Sequence, residues 1–185
     1  CVKSTVVNAA GMSWGVCQTR AMKEARTVCC WGEGSYGRLG MGSTSDKTTP
    51  IATHTLGSGR TAIDITAGGE HTCAVLDDGS IVCWGRNNNG QLGDNTTSSR
   101  TSPTQTVPLP RPAVAVEAGF DFTCALLNNG SVMCWGSGSS GRLGNGGGGV
   151  RVAPVTNPGR FATADAAADA VREERGRRRR DEKDQ

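Results

Sequence analysis

The chain has 185 residues, of which 36% are hydrophobic and 27 are glycine. This composition fits one domain with many turns and a modest core, and it argues against long helices before residue 161. The net charge of +3 gives no case for nucleic acid, and without a run of about 18 apolar residues no membrane span is predicted. The chain opens at Cys1 without an initiator methionine or a signal peptide, so we expect a piece of a longer protein.

Three Cys-Trp-Gly motifs organise the predicted elements. Their tryptophans, Trp31, Trp84 and Trp135, recur at intervals of about 50 residues. Each motif is followed by a glycine-rich tail that ends in Leu-Gly, and then by a Ser/Thr-rich stretch containing proline. An apolar strand and a hairpin come next in the second and third copies. This period is typical of a propeller blade or a related β-repeat, so we predict an all-β fold of about three blade-like units in a partial or open propeller.

The repeat boundaries follow from this period. We predict a degenerate first repeat over 1–40, a second over 41–93, a third over 94–144 and the start of a fourth over 145–160. Residues 161–185 combine helix formers with a block of four arginines, which is followed at once by acidic residues. The arginine block resembles a nuclear-import or nucleic-acid motif, but the acidic residues dilute its field. We therefore predict a charged, weakly helical or disordered tail.

The second and third repeats each contain two short apolar strands around a polar turn. In "CAVLDDGSIVCW" the three turn residues "DDG" suit a loop that closes on a left-handed glycine. Centring this hairpin on Asp78 sets Cys73 opposite Cys83, and the same register in the third repeat sets Cys124 opposite Cys134. Directly opposed residues lie about 4.5–5.5 Å apart, which is within reach of a disulfide. The spacing therefore predicts two cross-strand disulfides.

The first repeat keeps the Cys-Trp-Gly motif but has a longer turn. Cys17 faces either Cys29 or Cys30, and we assign the predicted disulfide to Cys17 and Cys30. The remaining cysteine and Cys1 pair with each other or with a segment outside the chain, and the sequence leaves these connectivities open. No metal site is predicted, because neither the cysteine spacings nor the two histidines match a zinc ligand pattern. Reduced thiols in an intracellular protein are the alternative.

Three residue types recur at equivalent positions and are expected to have structural roles. The tryptophans should pack as plugs between neighbouring units, the glycines should permit positive φ and close backbone approach, and the leucines should anchor the core. These residues are Trp31, Trp84, Trp135, Gly40, Gly93, Gly144, Leu39, Leu92 and Leu143. One such unit cannot bury its own faces, so the copies are expected to stack.

The stretch "AGGEHTCAVLDDGSIVCWGRNNNGQLG" resembles the repeats of the regulator of chromosome condensation family. The matching residues are Ala67, Gly68, His71, Thr72, Trp84, Gly85, Gly90, Gln91, Leu92 and Gly93. The third copy differs in having Phe122 at the position of His71 and Arg142 at that of Gln91. The resemblance implies a β-propeller, most often of seven blades. The added cysteines are similar to those of often extracellular relatives, so we expect the extracellular space or the secretory pathway, with the nucleus or cytoplasm as alternative.

No catalytic pattern emerges from the sequence. It has no phosphate-binding "GxxxxGK[ST]" loop and no nucleophile elbow. The paired carboxylates Asp77 and Asp78 are replaced by Asn128 and Asn129 in the sister hairpin, so turn formation explains both pairs. We therefore predict no enzyme activity, no catalytic residue and no cofactor.

Binding through loops is the function class that the sequence favours, because a rigid scaffold presents loops at its ends. We predict a non-enzymatic scaffold for an unidentified protein partner. The candidate contact residues are Asp77, Asp78, Arg86, Asn87, Asn88, Asn128 and Asn129. Open blade edges would also favour self-association. The resemblance leaves guanine-nucleotide exchange on a small GTPase or chromatin binding as alternatives, and a truncated fragment without independent function is a third.

Overall fold

The computed structural model describes residues 6–8, 18–22 and 27–160, with side chains from 28 to 156. The described strands form three antiparallel sheets of four strands, and in each sheet the strands lie side by side in chain order. This architecture confirms the predicted all-β fold with three blade-like units. The predicted tail over 161–185 lies outside the described residues.

The strands are numbered in chain order. The first sheet contains β1 (Val6–Asn8), β2 (Gln18–Met22), β3 (Thr27–Gly32) and β4 (Lys47–Ala52). The second contains β5 (Ala62–Ala67), β6 (His71–Leu76), β7 (Ile81–Gly85) and β8 (Arg100–Gln105). The third contains β9 (Ala113–Ala118), β10 (Phe122–Leu127), β11 (Ser131–Gly136) and β12 (Arg151–Arg160). Within the described residues, no helix has the length and apolar character to cross a membrane.

The sheets are offset from the predicted repeats by one strand. The fourth strand of each sheet follows the Leu-Gly tail, so it comes from the stretch that the sequence assigned to the next repeat. Residues 145–160, predicted to start a fourth repeat, contribute β12 to the third sheet in this way. A folding unit therefore takes its outer strand from beyond its own sequence repeat.

The hairpin registers match those predicted from the turns. Cys73 stands opposite Cys83 in the β6–β7 pair, and Cys124 opposite Cys134 in the β10–β11 pair. Disulfides join both pairs, with 4.1 Å between the Cα atoms in each. The turn glycines have φ of 77° and 78°, the left-handed conformation that this loop type requires.

The assignment of Cys30 to a disulfide is corrected by the structure. Cys29 is the disulfide-bonded cysteine of β3, whereas Cys30 is a buried thiol that packs in the core facing the second sheet. In the β2–β3 register Cys30 stands opposite Thr19, so it is not aligned with Cys17. Adjacent residues of a strand point to opposite faces of the sheet, so Cys29 and Cys30 lie on different faces. Cys1 and Cys17 lie outside the described residues.

Two apolar cores lie between the sheets, and alternate residues of the second sheet supply both. Ala74, Leu76, Val82 and Trp84 face the first sheet. Cys73, Val75, Ile81 and Cys83 face the third sheet. The central sheet is therefore buried on both sides, which explains why β6 and β7 read as continuous apolar runs.

The strand connections fall at two ends of the sheets. At one, the hairpin end, lie the tight turns at residues 77–80 and 128–130. At the other, the loop end, lie the short turns at 68–70 and 119–121 and the long loops that follow β3, β7 and β11. This division follows from the antiparallel order, because each successive connection crosses to the opposite end.

Candidate protein-interaction surface

Each of the two described sheet-to-sheet contacts is centred on a buried tryptophan. Trp84 Nε1 donates to the carbonyl of Arg38 at 2.9 Å, and the Thr72 hydroxyl donates to the same carbonyl at 3.0 Å. Both tryptophans, Trp84 and Trp135, are fully buried. The indole N–H is thus satisfied by a backbone oxygen of the preceding repeat.

The second contact repeats the first almost atom for atom. Trp135 Nε1 donates to the carbonyl of Gln91 at 2.9 Å, and the Thr123 hydroxyl donates to that carbonyl at 2.9 Å. We call the tail carbonyl and the glycine two residues later the socket, and the indole the plug. The two sockets are Arg38 with Gly40 and Gln91 with Gly93.

A glycine is needed in each socket because the indole lies directly against it. A Cβ atom at Gly40 would stand 2.8 Å from Trp84 Nε1, and one at Gly93 would stand 2.7 Å from Trp135 Nε1. Both glycines also have positive φ, 72° and 68°. The leucine before each glycine, Leu39 or Leu92, is completely buried and packs in the corresponding core. Leu143 in the third tail is also completely buried.

His71 is buried in the second contact in its neutral form. Thr123 gives its hydroxyl proton to Gln91, so it accepts at 2.8 Å from His71 Nε2, which assigns the proton to that nitrogen. Nδ1 is buried without a hydrogen-bond partner among the described residues. Burial lowers the pKa of His71 from 6.5 to about 4, because the imidazolium would lose its hydration.

His71 should make folding stability depend on pH. The unfolded chain takes up a proton near pH 6.5 whereas the folded chain does not, so stability falls as the pH drops from 6.5 to 4. The full shift corresponds to about 3 kcal/mol. We expect His71→Phe, which copies Phe122 of the third repeat, to remove this part of the pH dependence. Chemical denaturation of the wild type and of the variant at pH 7 and pH 4 measures this difference. An equal loss of unfolding free energy in the two proteins between these pH values would refute the assignment.

Asn87 organises the long loop after β7, and the structure corrects its prediction as a partner contact. Its side chain is completely buried. The Oδ1 atom accepts the Leu92 amide at 3.0 Å, while Nδ2 lies 3.0–3.2 Å from acceptors on Asp94, Thr96 and Ser98. Asn87 is therefore an internal clamp, whereas its neighbour Asn88 is exposed.

The remaining predicted contact residues divide between the two ends. Arg86 and Asn88 lie at the loop end, whereas the two turn pairs, Asp77–Asp78 and Asn128–Asn129, lie at the hairpin end. The structure therefore does not bring the predicted residues into one site.

The hairpin-end residues are exposed and hold their own turns. Asp78 pairs with Arg60 at 2.9 Å, and the Ser80 hydroxyl that donates to Asp78 lowers the pKa of this carboxyl. In the sister turn, Asn129 Oδ1 accepts the Ser131 amide at 3.1 Å. These contacts give the side chains local structural roles.

A larger set of side chains converges at the loop end. Its charged members form pairs across turns and loops, and two aromatic side chains stand beside them. We call this set the loop-end surface: Glu33, Tyr36, Arg38, Glu70, Arg86, Phe120, Asp121 and Arg142. Sequence reasoning identified only Arg86 of these as a contact residue.

Ionic pairs fix the middle of the loop-end surface. Glu70 accepts hydrogen bonds from both Arg38, at 3.3 Å, and Arg86. Arg142 pairs with Asp121 at 2.9 Å in the next sheet. The hydrogen bond to Glu70 raises the pKa of Arg86. The surface therefore carries alternating charges that are already held in place.

The two aromatic side chains of the surface are both exposed to solvent. Tyr36 is 43% exposed and Phe120 is 53% exposed. Arg86 lies over the Tyr36 ring, 4.9 Å from its centre. Phe120 lies over Gly69, where a Cβ atom would stand 2.7 Å from its ring. An alignment of the repeats could have identified part of this surface, because acidic residues occupy the equivalent positions 70 and 121. Arginines likewise occupy the equivalent positions 38 and 142.

The regulator of chromosome condensation (RCC1) repeat matches most of the described chain. One family model covers residues 27–75 and 78–126, and a second model of the same repeat covers 62–91 and 113–142. These matches span both complete sheet-to-sheet contacts.

Two relatives show the extent of the sequence similarity. The probable E3 ubiquitin-protein ligase HERC4 of Homo sapiens is 36% identical over 133 residues, which are 71% of this chain and 12% of the ligase. The ultraviolet-B receptor UVR8 of Arabidopsis thaliana is 37% identical over 135 residues, 71% of this chain and 30% of the receptor. The chain thus spans less than a third of either relative.

The fold is shared with a solved propeller of the same family. The crystal structure of Prp20p from Saccharomyces cerevisiae, reported with its binding properties to Gsp1p and histones, superposes with a TM-score of 0.67. The overlap covers 86% of this chain and 44% of Prp20p at 17% sequence identity, so the likeness concerns the fold alone. The repeat matches over more than half of the chain show that it belongs to the regulator of chromosome condensation (RCC1) repeat family.

Proposed function

We propose that this chain is a non-enzymatic protein-interaction module that binds its partner through the loop-end surface. The observation that carries the proposal is the exposure of Tyr36 and Phe120 beside a fixed set of ion pairs. Aromatic residues and arginine dominate the energetics of protein interfaces. The surface offers both types on loops that the sheets hold in position.

The charges of the loop-end surface favour a protein over a nucleic acid. Three arginines face three carboxylates there, and every arginine is paired with at least one carboxylate. Nucleic-acid sites instead present uncompensated positive charge to phosphates. A partner with its own mixed charges and an apolar patch would fit this surface.

The disulfides support an oxidising compartment as part of this proposal. Stable cross-strand disulfides persist mainly in secreted and extracellular proteins. The second and third sheets carry one each, at equivalent positions. An extracellular or secretory location therefore agrees with the bonded cysteines, and intact-mass analysis with and without reduction of natively produced protein tests it.

The test compares binding by two variants with substitutions at opposite ends. Tyr36→Asn/Phe120→Ser removes both exposed aromatics, and asparagine tolerates the positive φ of 58° at position 36. Asp77→Asn/Asp78→Asn copies the sister turn at the hairpin end and serves as the control. Proteins of the source extract that bind the wild-type chain are identified by mass spectrometry, and their affinities for each variant are then measured.

We expect the loop-end variant to lose at least about tenfold in affinity for the identified partner, while the hairpin-end variant binds like the wild type. Equal affinity of all three proteins, or a loss confined to the hairpin-end variant, would contradict the proposed surface. Far-UV circular dichroism of each variant controls for folding.

Nucleotide exchange on a small GTPase is the alternative that family membership favours. The binding properties of Prp20p to Gsp1p and histones, studied with its structure, motivate this alternative. Release of a fluorescent guanine nucleotide from small GTPases in the presence of the chain tests it. Accelerated release would replace the scaffold proposal, because it would assign the chain a catalytic effect.

A further inference from the structure

The sequence contains two Asn-X-Ser/Thr triplets, Asn95-Thr96-Thr97 and Asn129-Gly130-Ser131. A triplet of this kind, with any residue but proline in the middle, is the acceptor sequence for N-linked glycans. A glycan is bulky and hydrophilic, so its asparagine must reach solvent in the folded protein. Exposure of the side chain therefore decides which asparagine of the chain can carry one.

Asn95 combines an exposed side chain with a backbone that is held in place. It lies in the long loop after β7, and its amide donates to the Val152 carbonyl of β12 at 2.9 Å. Its φ of 61° is the left-handed conformation that glycines adopt at the equivalent positions 42 and 146. The Asn95 carboxamide makes no hydrogen bond to any residue that the structure describes. The acceptor group is thus open to solvent on a loop of fixed position.

The hydroxyl residue of this triplet is also accessible. Thr97 is exposed, and its hydroxyl has no hydrogen-bond partner in the described part of the chain. Thr96, between the two, is instead bound within the loop, where its hydroxyl donates to Asp94 at 2.7 Å. The middle residue therefore anchors the triplet, while the asparagine and the threonine that define it remain exposed.

The exposure of Asn95 does not depend on what lies beyond the ends of the chain. Its loop runs between the second and third sheets and contacts both of them. Asp94 pairs with Arg100 of β8 at 2.8 Å, and the Asn95 amide binds Val152 of β12. A further sheet on either side would lie beyond these two neighbours.

The other asparagines of this loop lack one of the two requirements. Asn87 is completely buried, and Asn89 donates to Asp121 at 3.3 Å. Asn88 is exposed but has Gly90 two positions later, so it does not begin a triplet. Exposure and triplet therefore coincide only at Asn95 in this loop.

Asn129, which begins the second triplet, is exposed but engaged in its own turn. Its Oδ1 atom accepts the Ser131 amide at 3.1 Å, so its carboxamide helps to hold the hairpin. The carboxamide of Asn95 has no such role in the described structure. Asn95 is therefore the better acceptor of the two.

We propose that Asn95 carries an N-linked glycan. In the transfer, Asn95 Nδ2 forms a bond to the anomeric carbon of a lipid-linked sugar diphosphate. The bond from that carbon to the diphosphate oxygen breaks, the lipid diphosphate leaves with the bonding electrons, and Nδ2 gives one proton to solvent. Thr97 supplies the hydroxyl that completes the triplet. The proposal rests on the secretory location proposed above from the disulfides, because this transfer marks secreted proteins.

The test measures the intact mass of natively produced protein before and after treatment with a peptide N-glycosidase. We expect a mass above the 19.2 kDa of the chain, and the treatment should remove the excess. Peptide mapping after treatment in heavy-oxygen water should find Asn95 converted to labelled aspartate.

Three variants produced in the same source assign the glycan to the triplet. Thr97→Ala should abolish the modification of Asn95, whereas Thr97→Ser should retain it because serine also completes the triplet. Asn88→Gln is the matched control, since it changes an exposed asparagine of the same loop outside any triplet, and it should keep the glycan. Both positions are exposed, and far-UV circular dichroism verifies the fold of each variant.

An unmodified Asn95 in the natively produced protein would overturn the proposal, and so would a glycan on Asn129 alone. A glycan that remains on Asn95 after Thr97→Ala would also overturn it. Mapping the disulfides in the same sample separates the glycan from the location on which it rests. Bonded cysteines with an unmodified Asn95 would refute the glycan alone, whereas free thiols at Cys73 and Cys83 would refute the location as well.

Discussion

Gly93→Ala is expected to lower the free energy of unfolding by about 3 kcal/mol. The new Cβ would stand 2.7 Å from Trp135 Nε1, a separation that a buried indole with 0% exposure has no room to relieve. Overpacking of this kind costs about 1–3 kcal/mol, and placing a side chain at a φ of 68° adds about 1 kcal/mol. Urea denaturation followed by far-UV circular dichroism measures the change.

Gly146→Ala separates the two contributions to the Gly93 effect. Its φ of 76° imposes the same backbone strain, but a Cβ there meets nothing within 4 Å. We expect this control to cost about 1 kcal/mol. Equal losses for both substitutions would show that backbone strain alone is responsible, and the close packing of glycine against indole would then be wrong.

Trp135→Ala should be the most damaging single substitution in the described core. The indole is fully buried between the second and third sheets and donates to the Gln91 carbonyl at 2.9 Å. Truncation of a buried tryptophan to alanine costs about 3–5 kcal/mol through the lost contacts and the cavity left behind. The unfolding midpoint in urea at constant slope gives this value directly.

Trp135→Phe distinguishes the hydrogen bond from the packing. Phenylalanine keeps most of the apolar volume, and the Gln91 carbonyl retains the Thr123 hydroxyl as a donor at 2.9 Å. We therefore expect a smaller loss of about 1–2 kcal/mol. A phenylalanine variant as unstable as the alanine variant would contradict the packing account and assign the effect to the indole N–H.

The parts of the fold that were predictable from sequence depend on contacts that are local in the chain. The turn "DDG" fixes which residues face each other a few positions away, so the opposition of Cys73 and Cys83 followed from spacing. The first repeat lacks such a turn, and the register there places Thr19 rather than Cys17 opposite Cys30. The turn is no longer than that of the second repeat, since Met22 already pairs with Thr27, but it has no motif that marks its centre, so spacing alone does not select the register.

The candidate surface was less predictable because its contacts join distant residues. Arg38 and Glu70 belong to different sheets, and their ion pair exists only once those sheets are stacked. Asn87 was misjudged for a related reason. Three adjacent asparagines are typical of a solvated loop. In the structure the loop folds back on itself, and Asn87 Nδ2 donates to acceptors on Asp94, Thr96 and Ser98.

The stacked contacts give the loop-end surface its rigidity. Arg38 supplies the carbonyl that binds Trp84 and, through its side chain, the ion pair with Glu70. The same residue type at Arg142 pairs with Asp121 in the third repeat. The tail that contacts the next sheet therefore also positions the charges of the loop-end surface.

A double-mutant cycle between Gly93→Ala and Trp135→Ala tests the central claim most directly, namely that a repeated contact of indole with tail glycine and carbonyl joins the sheets. If the two side chains touch as described, Gly93→Ala should cost only about 1 kcal/mol once the indole is gone, a coupling of about 2 kcal/mol. Losses that add to within about 0.5 kcal/mol would show that the two positions are independent, and the contact would then not be the element that holds the repeats together.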